Sequence, residues 1–215
     1  TFELWVKGRN FTPDAGSFIY ANVGGHENAK RDWYRSTKTH QTLTLDDKTI
    51  DINKAFDVKW ETSTDLDRLT FTNPSYKNLK HQRTVLFIDK TYFLVIDRAI
   101  GDAKGKLAIR YVLKEDAKPA VNEQNLSIST TYTDGNNLSI QLLNKKGIVL
   151  KPEDSFVSYV YKKEQPRPAF AFEQQKTDVA TTSFITLLYP FEGKTLPVVK
   201  FTENAGHNLA TGKLD

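Results

Sequence analysis

An antiparallel β-sandwich is the fold class this sequence predicts, and three observations predict it. Apolar and polar residues alternate with period two in the hydrophobic segments, as in Thr42-Leu43-Thr44-Leu45. Threonine, valine, isoleucine and aromatic residues are abundant, and they suit a pleated, half-buried surface. The segments recur about every 8–12 residues with turn formers between them, the spacing of stacked antiparallel sheets. No segment carries a sustained 3.6-residue apolar period, so no amphipathic helix is predicted.

The elements follow in order. After Thr42 to Leu45, Thr84-Val85-Leu86-Phe87-Ile88 and Tyr92-Phe93-Leu94-Val95-Ile96 flank Asp89-Lys90-Thr91, which reads as a tight hairpin. Leu107 to Leu113 follows a Gly-Lys-rich turn. Leu126 to Tyr132 and Leu138 to Leu142 bracket Asp134-Gly135-Asn136, a strong hairpin signal because glycine and asparagine accept positive φ. Phe156 to Tyr161, Ala169 to Phe172 and Phe184 to Tyr189 complete the set. Lys162 to Pro168 reads as a polar, proline-punctuated loop, not as a boundary. One domain over residues 1–215 is expected. The ending, Gly212-Lys213-Leu214-Asp215, resembles the entry to a further strand.

Composition narrows the function. With 215 residues, 39% of them hydrophobic, the chain can bury a proper core. No run approaches about 18 apolar residues, so no membrane-spanning helix is predicted. Without cysteine there is no disulfide, thiolate metal site or cysteine nucleophile. A formal net charge of +4 fits an acidic ligand weakly and is far from the footprint of a nucleic-acid binder. The opening Thr1-Phe2-Glu3-Leu4 lacks an initiator methionine and reads as the start of a fragment or processed chain.

The residues that carry chemistry lie near the start. His40 precedes the strand Thr42 to Leu45, and Asp14 lies across a plausible hairpin from it. Imidazole plus carboxylate can bind a divalent metal, calcium or zinc, with a third ligand from elsewhere; equally, the two can form a hydrogen bond that locks two strands. Arg9, Arg31, Arg35 and Lys38 accompany Trp33 and Tyr34. Guanidinium groups grip carboxylate and sulfate, and aromatic faces stack on sugar rings, so Arg9, Trp33 and Arg35 are the candidate contacts to an anionic sugar. Each could instead be a core aromatic or a surface ion pair. His26, His81 and His207 sit in polar stretches and read as solvated loop residues. Gly24-Gly25 is followed by no helix pattern and is not a phosphate loop. Asp46-Asp47 and the Asp65, Asp67 pair read as turn residues, and no Gly-x-Ser-x-Gly elbow supports acyl transfer.

Residues 1–4, 8–20 and 33–46 together resemble the β-sandwich domain of the heparinase II/III superfamily of polysaccharide lyases. Lys59-Trp60-Glu61-Thr62, Thr72-Asn73-Pro74-Ser75-Tyr76, His81-Gln82-Arg83, residues 92–101 and Asp134-Gly135-Asn136-Asn137-Leu138 are closest to its heparinase III, heparan sulfate lyase branch. The resemblance implies an exported enzyme, periplasmic or secreted, that breaks a sulfated glycosaminoglycan by β-elimination. It implies a partner, an N-terminal α/α toroid on the same polypeptide, which carries the active-site tyrosine and asparagine. The family's catalytic histidine and one metal ligand fall before Thr1, so the chain alone is expected to be inactive. Asp14 and His40 match the family's metal-binding aspartate and histidine. Two other readings stay open: a stand-alone carbohydrate-binding module, and a lyase for another uronate polymer such as alginate.

Overall fold

Two antiparallel sheets of unequal size face each other across an apolar interior in the computed structural model, which describes residues 1–22, 24–51 and 53–195. The chain begins with a two-stranded hairpin, β1 (Trp5–Val6) and β2 (Arg9–Asn10), then a helix, α1 (Gly25–Arg35), and a 3-10 turn, Thr37–Thr39. The strands that follow are β3 (Leu43–Leu45), β4 (Phe56–Thr62), β5 (Leu66–Tyr76), β6 (Leu79–Ile88), β7 (Tyr92–Gly101), β8 (Gly105–Val112) and β9 (Ala120–Asn122). β10 (Ser127–Ser129), β11 (Asn136–Leu142), β12 (Val149–Val160), β13 (Lys163–Lys176) and β14 (Thr182–Glu192) complete the described chain. The large sheet has the order β4-β5-β6-β7-β14-β11-β10-β9, and the small sheet β12-β13-β8-β3.

Period-two alternation sets the interior. Leu107, Ile109 and Tyr111 of β8 and Phe170 and Phe172 of β13 meet Val95 and Ala99 of β7, Leu138, Ile140 and Leu142 of β11, and Phe184 and Leu188 of β14. The hairpins at Asp89-Lys90-Thr91 and Asp134-Gly135-Asn136 form where expected. Asp89 and Lys90 both take positive φ, as does Gly135.

Several expectations are corrected. A helix, α1, follows Gly24. Tyr34 is its buried residue, with partly buried Trp33 beside it, too narrow a stripe to register as an apolar period. The segment from Lys162 to Pro168 is no loop: only Tyr161 and Lys162 turn, with Lys162 at φ 59°, and β13 begins at Lys163. Its prolines are tolerated because Pro166 and Pro168 pair only with β12. The pairing of β13 with β8 starts at Ala169, so no N–H is needed on that side. β4 and β5 escaped prediction because β4 is exposed along its whole length, without alternation, and β5 contains Pro74. Asp67 lies within β5 rather than in a turn. His207 and residues 212–215 lie outside the described residues.

Candidate functional site

The Asp14–His40 pair forms. His40 closes the 3-10 turn, its N–H donating to the Thr37 carbonyl at 3.2 Å, so α1 and the turn deliver the imidazole to the start of the small sheet. Asp14 follows β2 in a short loop whose Gly16 bridges to Ser158 of β12. His40 Nδ1 stands 3.1 Å from Asp14 Oδ2, and the Gly16 N–H donates to Oδ1 at 2.9 Å. The His40 hydrogen bond holds the Asp14 carboxyl below its usual range; burial opposes this, and the Gly16 amide and the Arg167 guanidinium assist it. Arg167 is buried and spans the back of the loop: Nη1 donates to the Pro13 carbonyl at 2.6 Å and Nε to Ser155 Oγ at 3.2 Å.

A divalent ion is compatible with this donor set. Two ligands on a tetrahedral zinc, each at about 2.0–2.1 Å, stand roughly 3.3 Å apart. The observed separation of 3.1 Å is close to that spacing, so the two donors would fit neighbouring positions on an ion once the ring and carboxylate tilt toward it. No cluster of three or more histidine, cysteine or acidic side chains surrounds the pair among the described residues, so by itself it would supply only part of a coordination shell.

The three candidate sugar contacts are not brought together. Arg9 is committed elsewhere: it pairs with Asp134 at 3.0 Å, donates to the Asn136 carbonyl at 2.9 Å and lies 3.6 Å over the Tyr132 ring. Trp33 packs edge-on against Tyr34 and Phe156 in a small satellite core with Phe18 and Ile19. Arg35 is exposed at the end of α1, with no ion pair or hydrogen bond among the described residues. Because Arg9 holds β2 against the β10–β11 connection, Arg9→Ala is expected to lower the melting temperature by roughly 2–4 °C in a thermal scan. The cavity beside Trp33 and Lys38, about 300 Å³, is also lined by Glu153 and Asp154, an ill-suited setting for sulfate. A larger apolar groove of about 420 Å³ lies under Trp5 and Trp60 and is flanked by Glu3 and Asp67.

Residues that sequence reasoning passed over lie inside the sandwich. Arg83 of β6 and Asp97 of β7 sit opposite each other in register, both buried on the inner face. Arg83 Nε donates to Asp97 Oδ1 at 2.6 Å and Nη2 to Oδ2 at 3.2 Å, while His81 Nε2 lies 2.5 Å from Oδ1. His81 is thus a core histidine, not a loop residue. The available signal was the period-two row Leu79, His81, Arg83, Val85, in which two ionisable residues occupy inward positions. His26 is exposed in the first turn of α1. Asp46 and Asp47 do form a turn, but Asp47 also pairs with Lys106 at 2.7 Å and with buried Arg110 at 2.6 Å.

Comparison with known proteins places this geometry. Residues 1–195 match the model of the family described as heparinase II/III-like, C-terminal. The chain is 52% identical to the heparin-sulfate lyase of Pedobacter heparinus over its whole length, covering 32% of that protein. It is 33% identical to the heparin-sulfate lyase of Bacteroides stercoris over 89% of the chain and 28% of the relative. The chain thus spans about a third of the length of these relatives. Among solved structures, heparan sulfate lyase HepC of Pedobacter heparinus superposes with a TM-score of 0.96, covering all of this chain and 33% of its own. A heparinase III structure superposes with 0.84 at 33% identity, covering 89% of this chain and 30% of that one. The sandwich and the match along almost its entire described length show that this chain belongs to the heparinase II/III-like C-terminal family.

Proposed function

We propose that this chain is the β-sandwich part of an exported lyase that cleaves heparan sulfate by β-elimination, and that Asp14 and His40 help hold a divalent ion beside its cleft. The observation that carries the reading is the 52% identity to a heparin-sulfate lyase across the full chain. Of the two ions, the imidazole donor favours zinc over calcium, which takes oxygen ligands. The ion, when bound, supplies positive charge that ties two loops together.

In β-elimination a base removes the C5 proton of a uronate while the glycosidic oxygen departs with a proton. The carboxylate next to that carbon must be neutralised, because the transition state resembles an enolate. Tyrosine is a common acid and base for this step. Two tyrosines near the Asp14 loop are already engaged. Tyr34 donates to Glu164 at 3.1 Å and Tyr159 to Glu115 at 2.8 Å. Burial, helped by those carboxylates, pushes both hydroxyls well above the ordinary tyrosine range. On this reading, which rests on the family resemblance, the reacting groups belong to a preceding toroid of the same polypeptide, and this chain offers Arg35, exposed and unpaired, to the sulfated polymer.

The test compares this chain with the longer parent enzyme on heparan sulfate, following the unsaturated uronate by ultraviolet absorbance. The parent is expected to turn over and this chain alone to give no product; turnover by this chain alone defeats the assignment. Cobalt titration of the longer parent enzyme is expected to give a visible d–d spectrum that Asp14→Ala abolishes.

A further inference from the structure

We infer that Gln41 is a positioning residue for the Asp14–His40 pair, and that the buried Arg83–Asp97–His81 group of the large sheet acts on the pair through it. The backbone at His40 is extended, with φ −114° and ψ 162°, so the side chains of residues 40 and 41 leave on opposite faces. His40 faces Asp14, and Gln41 turns inward, 1% exposed.

Inside, one side chain ties three segments together. Gln41 Nε2 donates to the Phe2 carbonyl at 2.7 Å and to the Thr12 carbonyl at 3.0 Å. Thr12 lies two residues before Asp14, and its hydroxyl accepts the Leu4 N–H at 2.9 Å. The Gln41 backbone carbonyl in turn accepts Arg83 Nη1 at 2.7 Å. Arg83 cannot swing away, because its Nε and Nη2 are both on Asp97, which His81 also holds. Both site residues are thus tied to one fixed guanidinium through a single residue, whose backbone oxygen meets Arg83 and whose side-chain amide meets Phe2 and Thr12.

A second observation separates this role from plain packing. Gln41 Oε1 is buried and has no hydrogen-bond partner among the described residues. A buried unpaired acceptor costs stability, and an apolar side chain of similar size would avoid that cost. What an apolar side chain would lose is the pair of amide donors that set the spacing of the Phe2, Thr12 and His40 segments.

The test uses this chain with Gln41→Met, which keeps the volume and removes both donors. Histidine 15N NMR is expected to show His40 in the wild type as one tautomer, Nδ1–H facing Asp14, and in Gln41→Met as a mixture of the two. Ile185→Val, a cavity change in the satellite cluster of Leu86 and Ile96 beyond the large sheet, is the stability control and should leave the His40 signals unchanged. The second readout rests on the proposed metal role and uses the longer parent enzyme, which carries the remaining ligand: its cobalt dissociation constant is expected to rise at least tenfold in Gln41→Met. A wild type that binds no cobalt defeats the metal reading alone, and the tautomer still decides the positioning role. A lower melting temperature with the His40 tautomer unchanged overturns the inference. If Gln41→Met does not fold, Gln41→Asn, which keeps the amide but is one methylene short, takes its place with the same readouts. Failure of both to fold would assign Gln41 to the core alone and overturn the inference as well.

Discussion

Asp97→Ala is expected to cost about 3–5 kcal/mol of unfolding free energy, because it strands the Arg83 guanidinium inside the sandwich with no counter-charge. In a chain of this size that corresponds to a melting temperature lower by roughly 10 °C. The loss belongs to the broken pair and not to the pair itself. The double variant Arg83→Met/Asp97→Leu is therefore expected to recover most of it, and a urea double-mutant cycle measures the difference. A double variant no better than Asp97→Ala would refute this account.

The same group sets the acid limit. Burial alone would raise the Asp97 carboxyl, but the Arg83 charge and the His81 hydrogen bond outweigh it and hold the group at about 2. Its folded value is below its unfolded one, near 3.9, so its contribution is complete above about pH 4 and is lost as pH falls through about 2. Burial, only partly offset by Asp97, pushes the His81 imidazole down. The folded state thus takes up that proton less readily than the unfolded chain, and stability declines as pH drops below about 6.5. Urea midpoints are expected to fall in two stages, one beginning near pH 6.5 and one below pH 4.

Gly16→Ala is expected to cost about 3 kcal/mol and to disrupt the candidate site at the same time. Gly16 has φ +76°, and a Cβ there would stand 2.2 Å from the Ser158 carbonyl oxygen. A backbone oxygen cannot rotate aside, so the loop must lift off β12. Lifting it breaks the bond from the Ser158 N–H to the Ala15 carbonyl, 2.9 Å, and carries away the Gly16 amide that holds Asp14 Oδ1. Gly8→Ala is the control. Its φ is +77° but nothing lies within 4 Å of the added carbon. Backbone strain alone remains, about 1 kcal/mol, and the His40 signals should not move. Equal losses at the two positions would refute the steric argument.

How far the sequence speaks can be seen residue by residue. Alternation located β3, β6 to β8 and β10 to β14 in whole or in part, because each buries one face; it missed β9, whose three residues are all exposed. It failed at β4, whose side chains are all exposed, and at the start of β6, where His81 and Arg83 point inward. Charge on an inward position breaks the apolar pattern, and only a partner from another strand, Asp97, makes it tolerable. The Asp14–His40 pair was legible through residue type and family resemblance. Gln41 was not, since nothing in its local sequence tells an inward amide that binds two distant carbonyls from a solvated one. The sugar contacts do not assemble because proximity in sequence does not carry into space here: Arg9 answers to Asp134 and Tyr132, far along the chain.

β14 is the last described strand, yet it occupies the middle of the large sheet, with Thr182 opposite Ala99 of β7 and Thr186 opposite Leu142 of β11. While the polypeptide leaves the ribosome, β7 and β11 therefore wait with open edges until β14 threads between them. Truncated translation products ending before Thr182 present two unpaired edges flanked by apolar residues, a form prone to aggregate. Closure of this sheet therefore waits for β14 to be made, and until then the edges of β7 and β11 are open to other strands.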